Sequence, residues 1–186
     1  MKFKRPEIVR PPSEWKSYFL PLTAGCSNNS CTFCGNYGSK LLIRDVFEVK
    51  KEIDAVAVYL SSNVSIAGIP RIVYDIASQW DGEKVFLQDS DALAYTFPEL
   101  VEALEYLNRK LPSIRRIAAY ATTQDILRRS VNEMKELHKL KLGMLYIGLE
   151  SGDNVVLKHV EKGVLPNRKL KPCAASKLQV YSLLSQ

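Results

Sequence analysis

The sequence predicts an α/β fold with a parallel β-sheet, built from about four consecutive β–α units. Short apolar runs alternate along the chain with segments in which apolar residues recur every three or four positions. The short runs are apolar almost throughout, which is typical of strands buried on both faces of a parallel sheet. Connections in such a sheet are right-handed, and ligand sites lie at the carboxyl ends of the strands.

The first two units occupy the amino-terminal half of the chain. An apolar run over 17–25 predicts the first strand, and Asp45 can cap the helix that follows a polar loop. The predicted buried face of that helix consists of Val46, Val49, Ile53, Val56 and Leu60. A short helix over 70–79 precedes the second strand over 84–88, and Thr96 starts the next helix.

The last two units follow the same alternation. A third strand over 116–121 leads into a helical segment that Thr123 can cap and Gly143 closes. The fourth strand covers 144–149. A last short helix over 153–163 is capped by the aspartate at its start.

Composition indicates a globular domain, and clustered cysteines without an export signal indicate the reducing cytoplasm. The chain has 186 residues, of which 46% are hydrophobic and 25% charged. No apolar run approaches the roughly 20 residues of a membrane span, and the amino terminus has no apolar signal segment. The net charge of +6 would suit an anionic partner. Nucleic acid has only weak support, because no basic stretch is interleaved with aromatic residues.

Three of the four cysteines, Cys26, Cys31 and Cys34, lie within nine residues at the end of the first strand. Three thiolates on one loop can hold three irons of a cubane iron–sulfur cluster and leave the fourth iron open. A structural zinc site usually needs four ligands, and both histidines and Cys173 are remote in sequence. An iron–sulfur cluster is therefore favoured, while zinc and oxidised or inert thiols stay open as alternatives.

Polar residues follow each of the four predicted strands. If the sheet is parallel, these residues meet at one edge and face one pocket. The first strand leads into the cysteine loop, and the other three lead into these residues: Asp89, Ser90 and Asp91; Tyr120, Thr122 and Thr123; Glu150 and Ser151.

Four segments together carry a resemblance to a known family. They are 22–37 with the cysteine motif, 86–93, 120–122, and 146–153 with its Gly-Leu-Glu-Ser-Gly sequence. Over about 17–163 the chain resembles the radical S-adenosylmethionine (radical SAM) superfamily. It is most similar to Fe–S oxidoreductases with four residues in the first gap of the cysteine motif. The resemblance implies a partial TIM-type (β/α) barrel, of which about the first four units are present.

The resemblance also implies a chemistry. Cys26, Cys31 and Cys34 would hold a [4Fe–4S] cluster, and S-adenosylmethionine (SAM) would bind its open iron. An electron donor of flavodoxin or ferredoxin type would reduce the cluster. SAM would then be cleaved to a 5′-deoxyadenosyl radical that takes hydrogen from a substrate whose class the sequence does not indicate.

The residues that match the family's cofactor contacts each have an ordinary alternative. Phe33 matches the aromatic residue beside the adenine, or it is a core aromatic. The segment 89–91 matches the site of the SAM amino group, although Ser90 replaces the commoner glycine, or its aspartates cap a turn. Glu150 matches a carboxylate near the ribose or amino group, or ends its strand in solvent. Ser151 bonds the ribose or the next helix.

The chain divides into an amino-terminal extension at 1–16, a radical SAM core at 17–163 and an atypical tail at 164–186. A complete barrel needs about 250 residues. The tail lacks a strand–helix pattern, so we expect a carboxyl-terminal truncation that leaves the fourth strand as an open edge and impairs activity. Two function classes remain: a radical SAM enzyme or its remnant, and a non-catalytic iron–sulfur or zinc protein.

Overall fold

The computed structural model describes residues 3–35, 40–148, 150–161 and 179–182. The strands are β1 (Tyr18–Pro21), β2 (Thr23–Ala24), β3 (Leu42–Ile43), β4 (Lys84–Gln88), β5 (Arg116–Tyr120), β6 (Leu142–Ile147) and β7 (Gln179–Ser182). The helices are α1 (Val46–Ser62), α2 (Arg71–Gln79), α3 (Phe97–Lys110), α4 (Thr123–Arg128), α5 (Val131–Lys139) and α6 (Asn154–His159).

The main sheet has the order β1-β4-β5-β6-β7, and every neighbouring pair in it is parallel. Helices fill the connections between its successive strands up to β6. The predicted α/β fold with a parallel sheet is therefore confirmed. A separate antiparallel ribbon pairs β2 with β3. The apolar run over 17–25 thus supplies one strand to each sheet.

Local sequence signals set most of the helix boundaries. The Asp45 carboxylate accepts hydrogen bonds from the backbone N–H groups of Phe47 and Glu48, at 2.8 and 3.4 Å, and so caps α1. Thr96 caps α3 in the same way. The predicted apolar face of α1 is buried at Val49, Ile53 and Val56. It does not extend to Leu60, which lies in the last turn and is 47% exposed.

The helix expected between the third and fourth strands is two helices. Arg129 has an extended backbone, and Ser130 with Glu133 forms a complete capping box that starts α5. The cap of α4 is Thr122, whose hydroxyl accepts from the backbone of Asp125, so the prediction of Thr123 as the cap is wrong. The capping box at Ser130 therefore divides the segment into two helices, although its apolar pattern continues across the break.

Two further predictions differ from the structure. Gly143 does not close a helix, because it lies inside β6, and Lys141 takes the left-handed conformation with φ of 72°. The tail also contributes a strand, since β7 pairs in parallel with β6. The expectation that the fourth strand is an open edge is wrong for that reason. Leu149, and the part of the tail outside 179–182, lie outside the described residues.

The two faces of the sheet have different roles. Tyr18 of β1 faces the helices, because its hydroxyl donates to Glu52 of α1 at 2.7 Å. Side chains alternate along a strand, so the next residue belongs to the opposite face. That face carries a row of aromatic rings with centroids 5.1 to 6.4 Å apart. The row consists of Phe19, Phe86, Tyr120 and Tyr146.

The amino-terminal segment contacts the aromatic-row face. The Gln88 side-chain amide donates to the carbonyl of Glu7. Glu14 is fully buried and accepts from Tyr146 at 2.7 Å while it pairs with Arg116 at 2.6 Å. A buried carboxylate is tolerated only when charges and hydrogen bonds compensate it, and these contacts provide that compensation.

Two arginines cover the free edge of β1. Arg5 donates to the carbonyl of Phe19, and Arg44 donates to the carbonyl of Pro21 at 3.2 Å. Both guanidinium groups pair at 2.8 Å with Glu52, which is 2% exposed. The arginines therefore satisfy carbonyls that a neighbouring strand would otherwise bind.

Candidate functional site

The ribbon of β2 and β3 holds both ends of the cysteine loop. Cys26 lies two residues after the end of β2 and forms a bridge with Lys40. Beyond β3, the Arg44 backbone N–H donates to the carbonyl of Leu22 at 2.9 Å. The chain therefore leaves and re-enters the body of the protein at neighbouring points, which keeps the loop at the carboxyl end of β1.

The residues that follow β4 form hydrogen bonds with the start of this loop. Asp89 is 2% exposed, and its carboxylate accepts from the backbone N–H of Gly25 at 3.1 Å. The Ser90 hydroxyl donates to the carbonyl of Gly25. Gly25 has φ of 86°, a conformation that residues with a Cβ adopt at a cost. The residue before Cys26 is thus fixed by its own conformation and by both of its backbone polar groups.

A buried pair of carboxylates lies beside this contact. Asp91 is fully buried and accepts from the hydroxyl of Ser27 at 3.1 Å, while its Oδ1 meets no hydrogen-bond donor in the described part of the chain. Burial, and next the neighbouring carboxylate of Asp125, raise the pKa of Asp91 to about 8. Burial raises the pKa of Asp125, but the hydrogen bonds with Asp91 and Thr122 and the charge of Arg128 outweigh it, so its pKa is lowered. Asp91 is therefore the protonated member of the pair at neutral pH.

This pKa predicts a pH-dependent stability. Below about pH 4 Asp91 is protonated whether the chain is folded or unfolded, and its stabilising contribution is complete. As pH rises toward about 8, the unfolded chain ionises first and the contribution is lost. Asp125, with a lowered pKa, is ionised in both states above pH 5 and adds no slope.

Asp91→Asn should abolish this slope, so its free energy of unfolding should rise relative to that of the wild type by about 3–4 kcal/mol between pH 5 and pH 8. Urea unfolding of the metal-free protein at the two pH values measures the difference. Parallel pH dependences in the two proteins would contradict the pKa assigned to Asp91.

The three cysteines of the loop are free thiols, and each is partly accessible to solvent. Among the described residues, no three Cys, His, Asp or Glu side chains converge closely enough to hold a metal ion. The donor set itself fits an iron–sulfur cluster, because three unpaired thiols lie on one short loop whose ends are fixed.

The far side of the loop is tied to the end of α6. The Thr32 backbone N–H donates to the carbonyl of Val160 at 3.1 Å. The side chains of Asn28 and Ser30 both donate to the carbonyl of Glu161, at 3.3 and 3.2 Å. These carbonyls follow the last residue of α6, at a helix end where carbonyl groups have no partner within the helix itself. The loop thus satisfies groups that α6 leaves unpaired.

The turn before α6 carries the predicted strand-four residues. Glu150 is half-buried and has φ of 57°. The Ser151 hydroxyl accepts from the backbone N–H of Asp153 at 3.0 Å, and the Asp153 carboxylate accepts from Val155 at 2.6 Å. Ser151 therefore stabilises the turn that leads into the helix, and because its hydroxyl accepts in this contact, it can still donate a hydrogen bond to another group.

Phe33 precedes the third cysteine and is 52% exposed. The alternative that it is a core aromatic is therefore wrong. Tyr120 and Thr122, after β5, have roles in the interior: Tyr120 belongs to the aromatic row, and Thr122 caps α4. Burial, followed by Tyr146 and Asp89, raises the pKa of Tyr120 to about 12, so its hydroxyl stays protonated at neutral pH.

Sequence reasoning missed three residues of this region: Ser27, Asn28 and Asp125. Asp125 stands three residues after Thr122, a spacing typical of a helix start, and it follows a predicted strand. That signal could have placed it near Asp91. For Ser27 and Asn28 the sequence offers only their position between two cysteines.

The sequence of the chain matches a known family. The family model described as "Radical SAM superfamily" matches residues 20–175. The chain belongs to the radical SAM superfamily.

Solved structures with a similar fold include those of OxsB, described as a cobalamin-dependent S-adenosylmethionine radical enzyme. The structure with aqua-cobalamin is 18% identical with a TM-score of 0.50, covering 80% of this chain and 20% of OxsB. The structure with aqua-cobalamin and S-adenosylmethionine is 17% identical with a TM-score of 0.50. The match covers 83% of this chain and 21% of OxsB. The chain thus spans about a fifth of the length of OxsB, and the likeness concerns the fold alone.

No curated protein sequence matches the chain. Within the described residues, none of the helices combines the length and the apolar character that a membrane span requires.

Proposed function

We propose that the chain is an iron–sulfur protein that cleaves S-adenosylmethionine reductively. Cys26, Cys31 and Cys34 would hold a [4Fe–4S] cluster, and the 5′-deoxyadenosyl radical formed by the cleavage would take hydrogen from a substrate. One observation carries the proposal: three free thiols lie on a loop whose first residue, Gly25, is hydrogen-bonded to Asp89 at the carboxyl end of β4. Family membership supports it independently.

The cluster, once bound, supplies an open iron and one electron for cleavage of the sulfonium. The residues of the chain would set the position of the cluster. Asp89 and Ser90 fix both backbone groups of Gly25, and Gly25 sets the position of Cys26. Three thiolate ligands leave one iron without a protein ligand, and SAM would bind there through its amino and carboxylate groups.

Asp91 is suited to a cationic group. Its Oδ1 is buried and has no donor in the described part of the chain. At neutral pH the proton of Asp91 is shared with Asp125, and an ammonium group would replace that proton and form a charge-assisted hydrogen bond with the ionised carboxylate. The SAM amino group is such a donor, so Asp91, with Asp89 and Ser90 beside it, is assigned to that end of SAM.

Glu150, Ser151 and Phe33 are assigned to the nucleoside part of SAM. Glu150 is half-buried in the turn that leads to α6, and the loop of the cysteines is bonded to the end of that helix. Phe33 offers an exposed ring next to Cys34, where an adenine could stack. The partly accessible thiols also leave room for a flavodoxin- or ferredoxin-like electron donor in a reducing cytoplasm.

Substitution of the two carboxylates tests the SAM site. Asp91→Ala and Glu150→Ala should each weaken SAM binding about 10- to 100-fold, because a hydrogen bond to a charged group is worth about 1.5–3 kcal/mol. Both variants should keep the iron content of the wild type. Isothermal calorimetry on anaerobic, cluster-loaded protein measures the affinities.

Asp54→Asn is the matched control, since Asp54 is an exposed carboxylate on α1 that pairs with Lys110. It should bind SAM as tightly as the wild type. Equal affinities in the wild type and both test variants would count against the assignment of Asp91 and Glu150.

A further inference from the structure

Asn28 makes a contact that none of the roles above requires. Its side-chain nitrogen Nδ2 lies 3.0 Å from the sulfur of Cys31 and 3.3 Å from the carbonyl oxygen of Glu161. One amide group thus joins a cysteine of the predicted cluster site to the end of α6. Asn28 is half-buried, so water competes with this contact only in part.

The contact fixes the orientation of the amide. The carbonyl of Glu161 can only accept a hydrogen bond, so the Asn28 atom that faces it must be the nitrogen. Nδ2 carries two hydrogens. One points to Glu161, and the second is available to the sulfur of Cys31. Asn28 is therefore an N–H donor to a cysteine sulfur and not merely its neighbour.

We propose that Asn28 is a positioning residue that raises the reduction potential of the cluster bound through Cys31. The proposal rests on the proposed function, because it needs the cluster. Hydrogen bonds to the sulfur ligands are among the factors that set the potential of an iron–sulfur cluster. An N–H dipole aimed at the sulfur stabilises the additional negative charge that the cluster acquires on reduction by one electron.

Ser30 provides a matched comparison. Its hydroxyl donates at 3.2 Å to the same carbonyl of Glu161 that accepts from Asn28. Ser30→Ala therefore removes one tie between the loop and α6 and leaves the hydrogen bond to Cys31 intact. A structural role of Asn28 predicts similar effects for both substitutions, whereas a role at the sulfur predicts an effect on the potential for Asn28 alone.

The test is a redox titration of the reconstituted protein with dithionite under anaerobic conditions, followed by the electron paramagnetic resonance signal of the reduced cluster. Asn28→Leu keeps the approximate size of the side chain and removes the donor. At a fixed solution potential it should lower the ratio of reduced to oxidised cluster about threefold or more, which corresponds to about 28 mV at 59 mV per tenfold for one electron. Asn28→Ala should shift the ratio in the same direction, and Ser30→Ala should leave it unchanged.

Each outcome decides the proposal. Equal ratios in the wild type and either Asn28 variant would overturn it, and so would a shift of the same size in Ser30→Ala. If both Asn28 variants fail to load iron while Ser30→Ala loads normally, Asn28 has a structural role and the proposal is wrong. A wild-type protein that takes up no iron would instead overturn the proposed function, which separates the two failures.

Discussion

Replacing any one of Cys26, Cys31 or Cys34 by alanine should abolish the iron–sulfur chromophore of the reconstituted protein. Three thiolates are the fewest that can hold a cubane cluster with one open iron, so the loss of one leaves two open irons and a labile site. The described residues offer no other group of metal ligands that could replace the missing one. Iron content per chain and the visible absorption spectrum, recorded anaerobically, measure the effect.

Cys173→Ala is the control for this series, because position 173 is far from the cysteine loop in sequence. It should retain the iron and the spectrum of the wild type. If a loop variant kept the full iron content, or if Cys173→Ala lost it, the ligand assignment would be wrong.

Glu52→Ala should lower the free energy of unfolding by about 3–5 kcal/mol, the usual cost of leaving buried charges without their partner. Glu52 pairs with Arg5 and Arg44 and accepts from Tyr18, and it is 2% exposed. Its removal leaves two guanidinium groups, 13% and 11% exposed, without their carboxylate. Urea unfolding of the wild type and the variant measures the difference.

Glu48→Ala supplies the comparison on the same helix. Glu48 pairs with Lys51 on an exposed face, and exposed ion pairs contribute about 0–1 kcal/mol. A loss in Glu52→Ala no larger than that in Glu48→Ala would show that the Glu52 network does not stabilise the fold. The network also concerns the site, because Arg44 holds the chain where it leaves the cysteine loop.

Much of the fold follows from local sequence patterns. The strand β4 was predicted with the bounds that the structure has, because its apolar residues are continuous and a turn precedes them. The cap of α3 and its buried residues were also predicted, since Thr96 and the leucines after it agree with each other. In both cases local propensity and burial point to the same structure.

The errors have physical reasons as well. The capping box at Ser130 starts a new helix inside an apolar pattern that continues across the break, so periodicity alone indicated one helix. Lys141 occupies a left-handed position where glycine is the usual residue, which moved the predicted end of the helix to Gly143. The strand β7 depends on pairing with β6, and its own sequence carries no clear strand pattern.

The candidate site was predictable in its outline. A parallel sheet brings the ends of β1 and β4 together, and the structure places Asp89 and Asp91 against Gly25 and Ser27 as that geometry requires. The contact of Asn28 with Glu161 was not predictable, because it joins residues that are 133 positions apart. Such contacts depend on packing between loops, which short-range patterns do not record.

The most direct test of the account is the metal content and spectrum of the wild-type chain after anaerobic reconstitution with iron and sulfide. We expect about four irons per chain, as in a [4Fe–4S] cluster. After reduction, we also expect a paramagnetic signal that changes when S-adenosylmethionine is added, because SAM binds the open iron. Stoichiometric zinc without iron, or a cluster whose signal is the same with and without SAM, would contradict the account.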